Sequence, residues 1–282
     1  MATMEQTYRV ITWNCRGASL RSGLWDYLLE LDPGVAILQD FRTIPERVLQ
    51  VYSHAQNNGL VETGRAPRFF TGILVKTGRI EDIQLPAPND WVARELENLK
   101  EFFTAKMITL HTGINLKVIS VYSPAFRIDP SRLEGIDTTG IKLTQNRDVW
   151  GTELLWASLK SMSINTDEPF IVAGDLNSSE TFDHPKPRGN REIMERMNAI
   201  GLSDCLRTFK GQLTPTFRTP RGGFVVHQLD YLYVTDALLE KLAWCDVGSA
   251  ERVFKSAPTL SDHLPIVADF TIIDEKKAAA AG

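Results

Sequence analysis

Cysteine is scarce. Three thiols, Cys15, Cys205 and Cys245, are spread over 282 residues with no CxxC pair and no Cys/His cluster. An odd number so placed excludes a disulfide framework and a structural zinc site, so all three are expected to be reduced and mostly buried. Positive charge is not in excess either. Against 31 lysines and arginines stand 35 aspartates and glutamates, a net charge of −4; a globally basic face is thereby excluded, and any polyanion has to be held by local basic patches. No apolar run approaches the length of a membrane span, and MATMEQTYRVITWN lacks the basic segment and apolar stretch of a secretory leader. A cytoplasmic protein away from membranes is the expectation. No repeat, low-complexity linker or composition shift divides the chain. With 43% hydrophobic residues, enough for a substantial core, one α/β domain over residues 1–273 is expected, with a disordered tail at 274–282.

What is present is a succession of short apolar or β-branched runs bounded by Gly, Pro, Asn and Asp. They are YRVITWN (8–14), VAILQ (35–39), FFTGILVK (69–76), AKMITLH (105–111), LKVISVYS (116–123), FIVAG (170–174), VVHQLDYLYV (225–234) and LPIVADFTI (264–272). Each reads as a strand. Helical patterns alternate with them: SGLWDYLLEL with Ser22 as N-cap, WVARELENLKEFF, DVWGTELLWASLKSM, and REIMERMNAIG closed by Gly201. Thr112-Gly113-Ile114-Asn115 between two strand patterns predicts a hairpin, hence antiparallel pairing within the sheets. Two long polar segments, 125–147 and 177–191, are rich in Arg, Lys, Pro and Gly; loops of that length in a compact domain tend to be functional.

The strands end on polar residues. Asn14 closes the first, Asp40 follows VAILQ, Tyr122 closes LKVISVY, Asp175 and Asn177 follow FIVAG, Asp230 sits in HQLDYLYV, and Asp262-His263 precedes LPIVADF. In layered α/β folds such ends can converge on one rim, where rigid strands hold side chains in place. Carboxylates gathered there would repel one another unless a cation held them. Hard oxygen donors with no thiolate suit Mg²⁺ or Mn²⁺ better than zinc, and metal-assisted phosphoester hydrolysis would follow. Each signal has an ordinary alternative: Gly174-Asp175-Leu176-Asn177 can be a simple turn, Asn14 can satisfy backbone groups, and Asp40 can cap the segment before Phe41-Arg42. His54, His111 and His184 have no such company and are read as surface or core histidines.

Taken together and in this order, ITWNCRG, AILQDFR, VISVYSP, IVAGDLNSS, HQLDYLYV and LSDHLPIVADF resemble the endonuclease/exonuclease/phosphatase superfamily, the group of DNase I and exonuclease III. The resemblance spans residues 8–272. It implies a DNase I-like four-layered α/β sandwich of two mixed β-sheets flanked by helices. It implies catalytic roles for Asp175 (orienting or deprotonating the attacking water), Asn177 (fixing water or phosphate beside it), His263 (donating to the phosphate), Asp230 (orienting His263) and Tyr122 (offering its hydroxyl). Asn14, Asp40 and Asp262 would form the metal side, with Mg²⁺ or Mn²⁺ as cofactor. Three positions depart from the pattern. Asp40 stands where Glu is usual, Arg16 where some abasic endonucleases carry a second acid, and Ala125 where Asn often follows Tyr-x-Pro. Tyr122-Ser123, in place of the His of the DNase I and sphingomyelinase branches, favours the exonuclease III and retrotransposon-nuclease side.

A nucleic acid is the leading substrate, DNA ahead of RNA, acted on by a monomeric endo- or exonuclease with abasic or damaged sites among its targets. Arg65, Arg68, Arg127, Arg132, Lys186, Arg188, Arg191, Arg218 and Arg221 fall in segments expected to flank the rim, and phosphate contacts come chiefly from such side chains. Of these, Arg127, Arg188, Arg191 and Arg218 are the prime substrate-binding candidates. Phe217 and Phe224, in TPTFRTPRGGF, could stack on bases or equally pack their loop onto the core. Two alternatives remain open: a phosphatase or phospholipase C-type hydrolase of inositol phosphates or sphingolipids, and a nucleic-acid binder whose metal site has decayed at Asp40.

Overall fold

The computed structural model describes residues 5–57, 68–221 and 223–273. The expected tail at 274–282 and Arg65 lie outside the described residues. In chain order the first elements are β1 (Glu5–Ala18), α1 (Leu24–Leu31), β2 (Val35–Phe41), α2 (Glu46–Leu49), β3 (Ser53–Gln56), β4 (Phe70–Val75) and β5 (Gly78–Asp82). Then come α3 (Asp90–Asn98), β6 (Phe103–Leu110), β7 (Asn115–Tyr122), α4 (Gly151–Ser161), β8 (Phe170–Asp175), α5 (Asn190–Ala199), β9 (Ser203–Asp204) and α6 (Cys205–Lys210). The last are β10 (Phe217–Arg218), β11 (Val225–His227), β12 (Asp230–Val234), α7 (Asp236–Leu239), β13 (Leu242–Val247), α8 (Ala250–Phe254) and β14 (Ile266–Ile273).

The strands form two six-stranded sheets, ordered β13-β14-β1-β2-β4-β3 and β5-β6-β7-β8-β12-β9, with a separate β10-β11 ribbon. Because side chains alternate along a strand, each sheet has two apolar faces to cover. Val10, Val35, Ile37 and Ile73 of the first sheet pack against Ile108, Val118, Ile171 and Leu232 of the second. The opposite face of the first sheet, with Ile11, Trp13, Ala36 and Leu38, is covered by Leu24 and Leu28 of α1 and Val253 of α8. The outer face of the second sheet, with Ile119, Val121 and Val172, is covered by Val92 and Leu96 of α3, Leu154 and Leu155 of α4, and Met194 and Met197 of α5. The result is the four-layered α/β sandwich, two mixed sheets flanked by helices, that the motifs imply.

One parallel pair lies in each sheet, β1 with β2 and β7 with β8; the other ladders are antiparallel. An antiparallel neighbour begins where a parallel strand ends. The ends of β1, β2, β7 and β8 and the starts of β12 and β14 therefore fall on one rim. Close approach in the second sheet depends on Gly174, whose φ of +142° no other residue adopts easily and where a Cβ would stand 1.9 Å from the Val121 carbonyl oxygen.

Several boundaries differ from expectation. The 225–234 run is two strands, because the Gln228 side chain turns inward to donate to Asp204 (2.8 Å) and accept from Thr214 N (3.0 Å), bending the chain from ribbon to sheet. The helix expected from 148 begins at Gly151, and that expected over 91–103 ends at Asn98, leaving Phe103 to open β6. Ser22 is one place short of the cap of α1: Gly23 occupies it, and the Ser22 hydroxyl accepts from Leu24 N at 3.3 Å. The hairpin at 112–115 joins antiparallel β6 and β7. His54, His111 and His184 are exposed.

Candidate active site

At the rim, Asp175 and Asp230 are direct partners across β8 and β12, both buried. Two carboxylates so placed repel. His263 lies against both: its Nδ1 is 2.8 Å from Asp230 Oδ2, and its Nε2 is 3.8 Å from Asp175 Oδ2. The Nδ1 contact to a carboxylate fixes the tautomer with hydrogen on Nδ1. Burial works to lower the imidazole's pKa, but the charges of Asp230 and Asp175 and the Asp230 hydrogen bond outweigh it, so the ring is raised above its usual value. The Asp175 carboxyl is raised by burial, only partly offset by the His263 charge.

The surrounding hydrogen bonds hold these groups in place. Asn14 Nδ2 donates to Asp175 Oδ2 across the two sheets (2.9 Å), and Asn177 N donates to Oδ1 (2.8 Å). Asn177 Nδ2 donates to the Ser123 carbonyl at the end of β7 (2.7 Å). Thr216 donates to Asp230 Oδ2 (2.6 Å) and accepts from Leu229 N and Asp230 N. Ser261 donates to the Asn14 carbonyl (2.7 Å) and accepts from His263 N (3.0 Å). Behind the rim Gln39 Nε2 donates to Ser120 (3.1 Å), whose hydroxyl donates to the Leu38 carbonyl (2.9 Å), tying the sheets together. Thr216, Ser261 and Gln39 escape sequence reasoning. A lone Thr or Gln has no signature, although Ser261 stands inside the SDHLP motif.

Asp40 and Asp262 make the other half of the rim. Burial, and then the charge of Asp262, push the Asp40 carboxyl up to about 6. Asp262 lies 3.6 Å from Arg16 Nε. Asp40 sits at a bulge: register shifts on both sides of it, and its φ is +47°, as are Arg16's +47° and Asn177's +48°. A bulge re-aims a side chain, and one methylene of reach is what Asp lacks relative to Glu. The Tyr122 ring packs on Phe69 (5.1 Å), and its phenol is raised by burial and by Asp40, Asp175 and Asp262; it stays a protonated donor.

These side chains suit a hard divalent cation. Asp175, Asp230 and His263 together could hold a metal ion, yet Nδ1 of His263 and Asp230 Oδ2 are already bonded to each other. The better fit is Asp40 with Asp262, two acids whose repulsion a cation would relieve. Asp230 Oδ1, buried without a partner among the described residues, is a further acceptor at the rim.

The substrate candidates divide. Phe217 lies on the His263 ring, centroids 4.8 Å apart. Phe224 is exposed at the turn of the ribbon. Arg218 is committed elsewhere: its Nη1 donates to the Phe254 carbonyl (3.0 Å) and its guanidinium lies over the Phe254 ring. Arg127 pairs with Asp148 (3.0 Å), Arg191 with Glu180 (3.5 Å), and Arg132 with buried Glu95 (2.9 Å). Arg68, Lys186, Arg188 and Arg221 are exposed.

A sequence model described as "Endonuclease/Exonuclease/phosphatase family" matches residues 11–263. No curated protein sequence matches the chain. Among solved structures, an AP endonuclease from Archaeoglobus fulgidus is 18% identical, with a TM-score of 0.65 over 93% of this chain and 99% of that one. A 3′ phosphatase from Neisseria, bound to product DNA hairpin, is 16% identical with a TM-score of 0.65 over 93% and 99%. An AP endonuclease from Leishmania major is 18% identical, TM-score 0.60, over 94% and 88%. At such identities the likeness is one of fold.

Proposed function

The chain belongs to the endonuclease/exonuclease/phosphatase family, and on that footing we propose that it is a divalent-metal-dependent phosphodiester hydrolase, an endo- or exonuclease acting on DNA. The observation that carries this reading is the Asp230–His263–Asp175 line, pinned by Asn14 across two sheets, beside a separate acidic pair.

Asp175 takes the proton of the attacking water: its carboxyl is held by Asn14 and Asn177, and its raised proton affinity suits a base. His263, cationic and oriented by Asp230, donates from Nε2 to the phosphate oxygen as negative charge builds. Tyr122 donates its phenol hydroxyl to the same group. Asn177 positions the water. Asp40 and Asp262, with Asn14 organising that side, would hold Mg²⁺ or Mn²⁺, which when bound supplies Lewis-acid polarisation of the phosphoryl oxygen and charge neutralisation at the leaving alkoxide. DNA is preferred by analogy with the Neisseria relative bound to a DNA hairpin. Phe217 and the ribbon carrying Phe224 flank the site as surfaces for bases. We also infer a single domain over 1–273 acting as a monomer, and a reducing compartment such as the cytoplasm, since all three cysteines are free and buried.

The test is a cleavage panel of intact, nicked, abasic and single-stranded oligonucleotides with Mg²⁺, Mn²⁺ or EDTA, and an Asp175→Asn control. Cleavage that needs the metal and is lost in the control is expected. Activity retained in Asp175→Asn would place catalysis elsewhere.

A further inference from the structure

Beside the catalytic cluster lies a cavity of about 150 Å³ walled by Trp150, Thr152 and Glu153 at the start of α4, by Asn177 and Ser178, and by the 177–191 loop. It has room for more than one water molecule. Two buried polar atoms of its lining residues have no partner among the described residues: the indole Nε1 of Trp150 and Oε1 of Glu153. Glu153 is fully buried. Its other oxygen is spent on the helix terminus, accepting from Trp150 N (3.1 Å) and Thr152 Oγ1 (3.3 Å). Leaving a buried donor and a buried acceptor unpaired is unfavourable, and capping the helix needs only the other oxygen of Glu153 and no indole N–H. Neither group takes part in the chemistry assigned to Asp175 and His263.

Arg188, also lining the cavity, is exposed and its guanidinium has no ion pair or hydrogen bond among the described residues. Its backbone is fixed: Asp183 Oδ1 accepts from Arg188 N (2.7 Å), and Asn146 Nδ2 donates to the Arg188 carbonyl (3.3 Å).

These groups select a ligand. The phosphate of a nucleic-acid strand offers only acceptors, so it could satisfy the indole N–H but would leave Oε1 of Glu153 unpaired, and would be repelled by that carboxylate once it is ionised, above a pH of about 7. An apolar group would leave both atoms unpaired. A nucleobase edge presents a donor next to an acceptor, and its phosphate would find the free guanidinium. We propose that this cavity is a nucleotide subsite, which receives a base of the strand being cut, directed towards Trp150 and Glu153, with that nucleotide's phosphate on Arg188. Asn177 belongs both to this wall and to the catalytic cluster, so the subsite holds a nucleotide next to the scissile bond. The inference rests on the nuclease reading and adds a base-reading element to it.

The test separates the two. In EDTA, where no cleavage occurs, wild-type protein, Trp150→Phe and Arg188→Met are titrated by calorimetry with the nucleoside 5′-monophosphates, ribose 5-phosphate and inorganic phosphate. Trp150→Phe removes the N–H and keeps a ring; Arg188→Met alters an exposed position; neither should unfold the protein. Base-bearing ligands are expected to bind tighter than the two baseless probes, and each substitution to weaken them roughly 3- to 10-fold. Equal affinity for ribose 5-phosphate, or a Trp150→Phe protein that binds like wild type, would overturn the subsite and leave the cavity to water. Loss of metal-dependent cleavage in the wild-type panel, by contrast, would sink the nuclease reading while this titration still reports on the pocket.

Discussion

His263 is held from both ends, its ring by Asp230 and its backbone N–H by Ser261. In the proposed mechanism, removing the ring deletes one donor to the phosphate; in the fold it leaves Asp175 and Asp230 facing each other across the ladder. For His263→Ala we expect kcat to fall by roughly 10²–10³, about 2.7–4 kcal/mol of barrier, with far-UV circular dichroism unchanged. A variant within tenfold of wild type would remove His263 from the chemistry. Asp40 carries the metal side of the same argument. Its carboxyl is pushed up to about 6 by burial and by Asp262, so a bound cation would be welcomed by both acids. Asp40→Asn removes one of two charges, and Mn²⁺ affinity, read from the electron paramagnetic resonance of the free ion, should drop by about tenfold or more. An unchanged affinity would show that the ion sits on other residues. The shorter Asp was visible in the sequence; the bulge and left-handed backbone that re-aim it were not, because both arise from the pairing of β2 with strands on either side.

At the scale of elements, the long apolar runs were legible and the short ones were not. β1, β2, β7, β8 and β14 carry enough β-branched and apolar residues to be read directly. β5 (GRIED), with mostly exposed side chains, and β13 (LAWCDV), where exposed, half-buried and buried residues mix without alternation, lie at sheet edges, and no periodicity marks them; pairing with a neighbour makes them strands. The helix α4 shows a cost hidden from sequence. Glu153 at its third position reaches back to the Trp150 N–H as a cap should, yet it does so fully buried, and burial lifts its carboxyl from 4.5 to about 7. A folded pKa above the unfolded one means that the folded state binds the extra proton, so stability falls as pH rises from about 4.5 to 7 and is flat beyond. The loss is on the order of 3 kcal/mol. Glu153→Gln should remove that group's share of the slope. Urea midpoints at pH 5, 6, 7 and 8 should decline less steeply for the variant than for wild type, the remainder coming from the raised carboxyls of Asp40 and Asp175, and parallel declines would show that Glu153 contributes nothing.

At the scale of the molecule, the site exists only because two sheets meet. Asn14 and Asp40 come from one, Tyr122, Asp175 and Asp230 from the other, and the ordered motifs let that meeting be anticipated. The basic residues were less legible, since charge in a loop does not reveal its partner: Arg127, Arg191 and Arg218 are each engaged within the chain. With a net charge of −4 and few uncommitted guanidiniums near the rim among the described residues, the proposed binding to DNA has no broad basic face to draw on. Each phosphate neutralised contributes about −0.9 to the slope of log K against log salt on duplex DNA. For two to four contacts the slope, measured in EDTA by fluorescence anisotropy of a labelled duplex between ~50 and ~200 mM NaCl, should lie between about −2 and −4. Arg188→Met should make it shallower by about 1. A slope steeper than about −6 would reveal an extended phosphate track that the ion pairs at Arg127 and Arg191 argue against, and those pairs would then have to open on binding.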